Sequence, residues 1–352
     1  MKTILMILIL AVSAFCSEKR ISDYCTPDDG LDDSKCFQQA VDEMTLQGGG
    51  TIVFTAGEWN INDTVSFITY SKVNNSILIK GSKGAILMPD IQKGSMLVFG
   101  NQNQVILEDL VVLGNPATTV DVNALIRADY VRQLRIDRCL FVGLMSQTSL
   151  LALSNVDTVI RDSAFYGNAT GTAVVEALNF GGVKISDTEF LDYGHFDGEY
   201  YSKSAYGNPA WVKLTTTARV SPSANGQLPV SISNVRFDEG AHWAMDISGV
   251  PYVELMGVMD NVSGVDGGGG IRFSGVKYAE VKMSMFGYTP SARPAIEALN
   301  KSTVYVDSMS VGNGVFYGRR DSTSQVSFNT RACADCSFEL DNASKISLAP
   351  RR

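Results

Sequence analysis

One hexapeptide recurs four times in this 352-residue chain: IDRCLF at 136–141, IRDSAF at 160–165, ISDTEF at 185–190 and ISNVRF at 232–237. Each copy begins with isoleucine, has polar residues in its second and third positions, and ends with phenylalanine. The first three phenylalanines are 24 and 25 positions apart, and the gap to the fourth is 47, close to one repeat plus an insertion of similar length. A period of this size is typical of a solenoid.

Short apolar runs that precede the hexapeptides complete each unit, for example 150–153, 174–178 and 211–214. Gly, Asn and Asp turns separate these runs, and helical periodicity is almost absent. A unit of 22–25 residues cannot bury its own apolar face, but stacked units bury a continuous core. We therefore predict an all-β fold, a right-handed parallel β-helix solenoid, over residues 51–348. Leucine-rich repeats and propeller blades need other spacings.

Two segments depart from the repeat. Residues 17–50 predict an N-terminal cap with a short capping helix, because Phe37, Ala40, Val41 and Met44 form an apolar stripe at helical spacing. Asp32 or Asp33 can cap the start of this helix, and the glycines at 48–50 end it. The long gap between the third and fourth hexapeptides predicts an inserted loop at about 193–229.

The first 16 residues predict a secretory signal peptide. Lys2 precedes nine apolar residues at 4–12 and a small-residue stretch at 13–14, and this segment is too short to span a membrane. Cleavage after Ala14 or after Cys16 fits the pattern. No later segment could cross a bilayer. We expect a secreted, extracellular protein.

Two cysteine pairs agree with export. Cys25 and Cys36 flank an Asp- and Gly-rich loop, and Cys333 and Cys336 form a C-x-x-C near the other end. Because no other His or Cys cluster accompanies them, disulfides are a simpler interpretation than a zinc site. Cys139 lies in a strand pattern and is expected to be a buried thiol.

Charge limits the classes of partner. The chain has 29 basic and 37 acidic residues, a formal net charge of −8, and its Lys and Arg residues are dispersed. A nucleic-acid binder would normally present a basic face, so we expect no nucleic-acid partner. We expect no metal or cofactor. Ca²⁺ could bind an acidic patch, but no ligand spacing argues for it.

The entry segment resembles a known group of proteins. The motifs DD at 28–29 and 32–33, FQQAV at 37–41, GGGTIVF at 48–54 and AGEW at 56–59 resemble the start of the pectate-lyase-like superfamily. That superfamily includes polygalacturonases, polysaccharide lyases and phage tailspikes, and the resemblance continues to about residue 348. It implies a right-handed parallel β-helix and a polysaccharide or glycan partner. It leaves open whether the protein forms a homo-oligomer.

The catalytic motifs of those enzymes do not match. The sequence has no Asn-Thr-Asp, no Arg-Ile-Lys and no Arg-x-x-Pro-x-x-Arg. The tripeptide GHF at 194–196 matches only the first two positions of Gly-His-Gly. The resemblance therefore predicts the fold and leaves the activity open, because the superfamily also includes proteins that are not enzymes.

Alignment of Phe190 with Phe237 gives a candidate catalytic cluster. The chain's two histidines, His195 and His242, then fall at the same offset on neighbouring coils. Equivalent positions on adjacent coils lie about 4.8 Å apart. Paired carboxylates are what general acid–base cleavage of a glycosidic bond requires. The candidate acid and base are Asp192, Asp238 and Glu239, with the histidines as support or proton carriers.

Aromatic residues near this cluster are candidates for binding sugar rings. The candidates are Tyr193, Tyr200, Tyr201, Trp211 and Trp243. Asp162, Asp187 and Asn234 occupy the turn position of successive repeats and are interpreted as structural. The arginines at 127, 132, 135 and 138 could meet an acidic glycan, but nearby acids favour a solvated face.

These observations support two hypotheses of different class. The first is a secreted β-helix protein that engages polysaccharide and cleaves glycosidic bonds, as a hydrolase or a lyase, with its paired carboxylates. The second is a non-catalytic solenoid, namely a glycan-binding spike, adhesin or structural component. Loss of the carboxylates should abolish activity under the first hypothesis, whereas loss of the aromatic residues should matter more under the second.

Overall fold

The computed structural model describes residues 17–68, 75–91, 94–114, 124–192, 195–196, 199–200, 210–217, 230–238, 243–260, 269–286, 294–311, 315–329, 337–340 and 347–348. The predicted signal peptide, Cys333 and Cys336 lie outside these residues and stay predictions. So do Tyr193, Tyr201, Glu239 and His242.

A single α-helix, α1 (Ser34–Leu46), and a 3₁₀ turn at Ile21–Asp23 precede the solenoid within the described residues. The strands before the second hexapeptide are β1 Glu18–Arg20, β2 Gly49–Phe54, β3 Gly57–Ile61, β4 Val65–Ile68, β5 Ser76–Gly81, β6 Ala85–Pro89, β7 Leu97–Gly100, β8 Gln104–Glu108, β9 Val111–Leu113, β10 Ala124–Asp129, β11 Gln133–Asp137, β12 Leu140–Val142, β13 Met145–Ser146 and β14 Ser149–Ser154.

The remaining strands continue the same pattern to the end of the described chain. They are β15 Asp157–Arg161, β16 Ala164–Tyr166, β17 Ala169–Thr170, β18 Ala173–Leu178, β19 Val183–Leu191, β20 His195–Phe196, β21 Glu199–Tyr200, β22 Ala210–Thr215, β23 Val230–Asp238, β24 Trp243–Ser248, β25 Tyr252–Asp260, β26 Gly269–Ser274, β27 Tyr278–Phe286, β28 Ile296–Leu299, β29 Thr303–Val311, β30 Val315–Arg320, β31 Gln325–Phe328, β32 Ser337–Leu340 and β33 Ser347–Leu348.

Two long sheets form the walls of the solenoid. The larger has 18 strands, and the smaller has 11, in the order β4-β7-β10-β14-β18-β22-β24-β26-β28-β30-β32. Neighbours in both sheets pair in parallel, for example β11 with β15 and β18 with β22, with register shifts in the β23–β25 and β27–β29 pairs. This confirms the predicted all-β, parallel β-helix fold. The two-residue strands β20 and β21 pair antiparallel, with His195 opposite Tyr200.

The phenylalanines of the four hexapeptides stack inside the solenoid. Neighbouring rings along the column Phe141, Phe165, Phe190 and Phe237 are stacked nearly parallel, with centroids 4.9, 5.0 and 5.1 Å apart. All four side chains are fully buried. The column confirms the alignment of repeats read from the sequence, and the third residue of each hexapeptide lies exposed at an equivalent position on the outside.

The helix covers the first coil as predicted. Its buried residues include Phe37, Ala40, Val41 and Met44. Beside it, β1 pairs with β2 as the outermost strand. Gly50 is required there, because a Cβ atom would lie 2.4 Å from the carbonyl oxygen of Ser17. A helix and a short charged strand thus shield the apolar end of the stack.

Cysteine placement agrees with two of the sequence predictions. Cys25 and Cys36 form a disulfide that ties the start of α1 to the preceding segment, with Cα atoms 5.9 Å apart. Cys139 is a buried free thiol. Burial raises the pKa of the Cys139 thiol to about 12, so it stays protonated and unreactive at neutral pH.

The segment predicted as one inserted loop contains a strand. β22 pairs in parallel with β18 and β24 of the smaller sheet. Trp211, Val212 and Leu214 are buried, so burial of this apolar run holds it in the solenoid wall. The structure thus has a strand at the apolar run 211–214 that the repeat pattern indicated, and the bounds of the inserted loop at about 193–229 stay a prediction.

Candidate functional site

A groove of about 660 Å³ runs across four successive coils on the outside of the larger sheet. Each coil contributes three consecutive residues of its hexapeptide, at 138–140, 162–164, 187–189 and 234–236. Because adjacent coils are spaced by about 4.8 Å, the groove spans about 14 Å along the solenoid axis. Its outward, exposed side chains include Arg138, Asp162, Asp187, Glu189 and Arg236.

Left-handed turns place these side chains outside. The third residue of each hexapeptide has a positive φ: 50° at Arg138, 50° at Asp162, 51° at Asp187 and 51° at Asn234. Asp and Asn tolerate this conformation better than other non-glycine residues. The turn bends the wall and directs the third residue outward. Asn234 Nδ2 donates to Asp187 Oδ1 at 2.7 Å, which links two coils.

Ion pairs fix one end of the groove. Arg138 Nε lies 2.6 Å from Asp109 Oδ1, and Arg138 Nη2 lies 2.7 Å from Glu108 Oε1. The hydrogen bond from Arg138 lowers the pKa of the Asp109 carboxyl and, conversely, raises that of the guanidinium. Arg135 and Arg161 in turn pair with the buried Asp137. The positive charges of these arginines are therefore balanced by carboxylates of the same wall.

The other end carries a mixed set of charges. Arg236 Nη2 lies 2.9 Å from Asp238 Oδ2. Glu189 sits opposite Arg236 in the strand register and is exposed, and it has no hydrogen bond or ion pair to any residue that the structure describes. Asp162 and Asp187 follow each other on adjacent coils. Three carboxylates therefore face the groove with only partial neutralisation.

Apolar side chains lie beside these charges. Leu140 and Tyr166 are 36% and 37% exposed, which is high for residues of this type in a wall. Their strands β12 and β16 pair directly, and Ala164 of the groove lies on the same outward face as Tyr166. Tyr166 lies two residues beyond Ala164, just outside the groove lining, where its ring could contact the apolar face of a sugar whose hydroxyls the charged groups bind.

Comparisons with known proteins bear on the fold. No protein-family model and no curated protein matches the chain. Among solved structures, ORF18 of Geobacillus virus E2 matches with a TM-score of 0.56 and 12% identity, over 95% of this chain and 63% of that one. Two structures of PfbA, a surface adhesin of Streptococcus pneumoniae, match with TM-scores of 0.53 and 0.52, each at 12% identity over 92% of this chain and 96% and 90% of theirs.

The chain has a parallel β-helix fold, which it shares with these solved structures. It spans less than two thirds of the viral protein and nearly all of the PfbA structures. At this level of identity residue roles do not transfer, so the chemistry of this β-helix has to be argued from its own residues.

The predicted catalytic cluster is partly described. Phe190 pairs with Phe237 in the strand register, as the alignment required. Asp192 follows at a left-handed corner with φ of 52°, and Asp238 is held by Arg236 at the edge of the groove. Of His195 only the strand pairing is described, and Glu239 and His242 lie outside the described residues. The proposed acid–base set stays a prediction.

The structure describes both tryptophans predicted to bind sugar. Trp211 is 2% exposed, and its ring centroid lies 5.7 Å from that of Phe190. Trp243 is 7% exposed, with the Arg272 guanidinium carbon 5.4 Å from its ring centroid. Both belong to the smaller sheet, on a different wall from the groove. Both rings are almost fully buried, and their role in binding sugar stays a prediction.

Sequence reasoning missed Tyr166, Glu189 and Arg236. Each occupies a variable position of the repeat or the position after it, which the search for a common pattern passes over. A comparison of outward positions between aligned coils could have found them. Within the described part of the chain, no group of three or more His, Cys, Asp or Glu side chains could hold a metal ion, and no helix is long and apolar enough to cross a membrane.

Proposed function

We propose that this protein binds a glycan chain in the groove, with the chain running along the solenoid axis. The observation that carries the proposal is the groove itself, which repeats the same outward positions over four coils. A polymer of similar rings can meet such a repeated lining with one ring after another. The carboxylates of Asp162, Asp187 and Glu189 would accept hydrogen bonds from sugar hydroxyls, and Tyr166 would contact a ring face.

We propose an extracellular location for this binding. The Cys25–Cys36 disulfide is of a kind that persists in oxidising compartments. The predicted signal peptide and the absence of a membrane-spanning helix among the described residues agree with it. PfbA, which shares the fold, is a surface adhesin. The proposed partner is a glycan, and binding in the groove uses no metal ion or cofactor.

Binding to a panel of neutral and acidic polysaccharides tests the proposal, with groove variants measured against the best ligand. Glu189→Gln and Asp187→Asn remove charge from exposed side chains and should leave the fold intact. Each should weaken binding about tenfold or more, because a hydrogen bond to a charged group contributes about 1.5–3 kcal/mol.

Glu58→Gln is the matched control, because Glu58 is an exposed strand residue far along the solenoid from the groove. It should bind as the wild-type protein does. Equal binding by all four proteins would overturn the assignment of the groove, and no binding by folded protein across the panel would overturn the function.

Cleavage of the bound glycan is the second candidate. The observation in its favour is the register of Phe190 with Phe237, which brings Asp192 and Asp238 to the same edge of neighbouring coils. Mass spectrometry of the incubated polysaccharides separates the possibilities, since a hydrolase adds water and a lyase leaves an unsaturated end. Loss of products in Asp192→Asn and Asp238→Asn, with binding retained, would support cleavage. Absence of products would leave binding alone.

A further inference from the structure

A pair of tyrosines lies on the outside of the larger sheet, on later coils than the groove. Tyr252 and Tyr278 occupy paired positions of β25 and β27, and their rings are stacked with centroids 5.4 Å apart. Glu254 and Glu280 occupy the next outward pair on the same strands. We call these four side chains the tyrosine patch. The residues between them, such as Val253, are buried in the core.

The acidic pair of the patch is only half neutralised. Lys282 Nζ lies 2.8 Å from Glu280 Oε1, and the same ammonium group lies 3.7 Å from Asp307 Oδ2. Glu254 has no hydrogen bond or ion pair to any residue of the described structure. Like charges directly opposite each other on neighbouring strands are destabilising. The fold therefore has no electrostatic gain from placing Glu254 opposite Glu280.

The smaller sheet shows that the same solenoid can arrange its charges differently. One outward column there alternates in sign over six successive strands, and we call it the charge ladder. Its members, paired in register, are Glu176, Lys213, Asp246, Arg272, Glu297 and Arg319. Every charge in the charge ladder has an opposite charge beside it. Glu254 and Glu280 depart from this alternation of charge, because two acids stand side by side. This suggests that a cationic group of a ligand binds between them.

The tyrosines add hydrogen-bond donors to the acidic pair. Burial raises the pKa of Tyr252, and the negative charges of Glu280 and Glu254 raise it further. Burial and, after it, the negative charge of Glu280 also raise the pKa of Tyr278. Both phenols are therefore protonated at neutral pH. Neither hydroxyl has a hydrogen-bond partner among the residues that the structure describes, and Tyr278 is 36% exposed.

The position of the patch within the sheet selects between a sugar and a peptide. β25 pairs with β23 on one side and with β27 on the other, and β27 also pairs with β29. Because the strands have no free edge here, a peptide cannot add its backbone to the sheet. A peptide could then bind only through cationic side chains, whereas an amino sugar offers an amine for the carboxylates and hydroxyls for the phenols on one ring.

We propose that the tyrosine patch is a second ligand site, which binds the protonated amine of an amino sugar between Glu254 and Glu280. The phenol hydroxyls of Tyr252 and Tyr278 hydrogen-bond to hydroxyls of the same sugar or of its neighbour. The patch is separate from the groove and does not depend on the function proposed for it.

Calorimetric titration of the full chain with short glucosamine oligomers and with their N-acetylated counterparts tests this site. Acetylation removes the positive charge and keeps the ring, so the free amine should bind about tenfold or more tightly. Glu254→Gln should abolish this preference. It should also fold, since it relieves the repulsion from Glu280. Glu58→Gln is the matched control and should keep the preference.

Three outcomes would overturn the proposal. Equal binding of acetylated and free oligomers would mean that no carboxylate meets an amine. An unchanged preference in Glu254→Gln would place the amine elsewhere on the protein. Oligolysine binding as tightly as the glucosamine oligomers, and also lost in Glu254→Gln, would show a general cation site. The groove variant Glu189→Gln, titrated in parallel, separates failure of this site from failure of the groove.

Discussion

Asp33 shows how far a single residue can depart from the role that its sequence position suggests. The sequence predicts that Asp32 or Asp33 caps the capping helix. Asp33 is the N-cap residue, but its side chain makes no capping hydrogen bond. Its Oδ2 accepts from the backbone N–H of Asn60 at 2.9 Å instead, and Asp32 accepts from the N–H of Ser34. A long-range contact has displaced the local one, and no local pattern could predict that.

The burial of Asp33 has a consequence for stability. The residue is 2% exposed, and burial, with help from the charges of Asp29 and Asp32, raises its pKa to about 6 from 3.8. The folded state therefore holds this proton more tightly than the unfolded state. Stability from this group is present below about pH 4 and is lost as the pH rises through about 6.

Asp33→Asn should remove the dependence of stability on pH that comes from this carboxyl. The amide oxygen can still accept from Asn60, and no charge has to be buried. Above pH 6 the variant should be more stable than the wild-type protein by at most about 3 kcal/mol, and the difference should shrink towards pH 4. Thermal unfolding of both proteins at pH 4 and pH 7 checks this. A variant less stable at pH 7, or a difference independent of pH, would contradict the account.

At the scale of elements, the periodic features were predictable and the charge ladder was not. The hexapeptides predicted the column of phenylalanines, because one short pattern recurs with a nearly fixed period. The members of the charge ladder have no common sequence pattern. Lys213 and Asp246 become neighbours only because β22 and β24 pair in register across 33 residues of sequence.

The charge ladder should contribute measurably to stability. Arg272 forms two hydrogen bonds with Asp246, one of them at 2.9 Å, and Asp246 is only 14% exposed. Asp246→Asn should cost about 1–3 kcal/mol, since it removes the charged acceptor of both hydrogen bonds from Arg272. Asp129→Asn is the control, because Asp129 pairs with the largely exposed Arg127 and should change stability by less than about 1 kcal/mol. The free energy of unfolding of both variants can be measured by denaturant unfolding, and equal losses in the two would contradict the prediction.

For the whole molecule, the fold followed from the repeat and the entry segment, whereas the site did not. The groove depends on which outward residues of different coils stand side by side, such as Glu189 and Arg236, which are 47 positions apart. These are the variable positions of the repeat, so a search for periodicity gives them no weight. The burial of Trp211 and Trp243 likewise depends on what neighbouring coils place against them, which the repeat pattern does not describe.

The way that the chain enters the solenoid limits where a signal peptide can be removed. The carbonyl oxygen of Ser17 accepts from the N–H of Thr51 at 2.8 Å, and β1 follows at once. Cleavage after Ala14 or Cys16 keeps both features, whereas cleavage beyond Arg20 would expose the edge of β2. N-terminal sequencing of exported protein should therefore find Ser17 retained. A mature chain that starts after Arg20 would contradict this prediction.

The central claim is that the groove binds a glycan along the solenoid axis, and a crystal structure with the shortest bound oligosaccharide tests it most directly. We predict electron density across the four coils at 138–140, 162–164, 187–189 and 234–236, with sugar hydroxyls within hydrogen-bond distance of Asp187 and Glu189 and a ring face against Tyr166. Sugar density on the smaller sheet, or along the strands rather than across them, would contradict the claim.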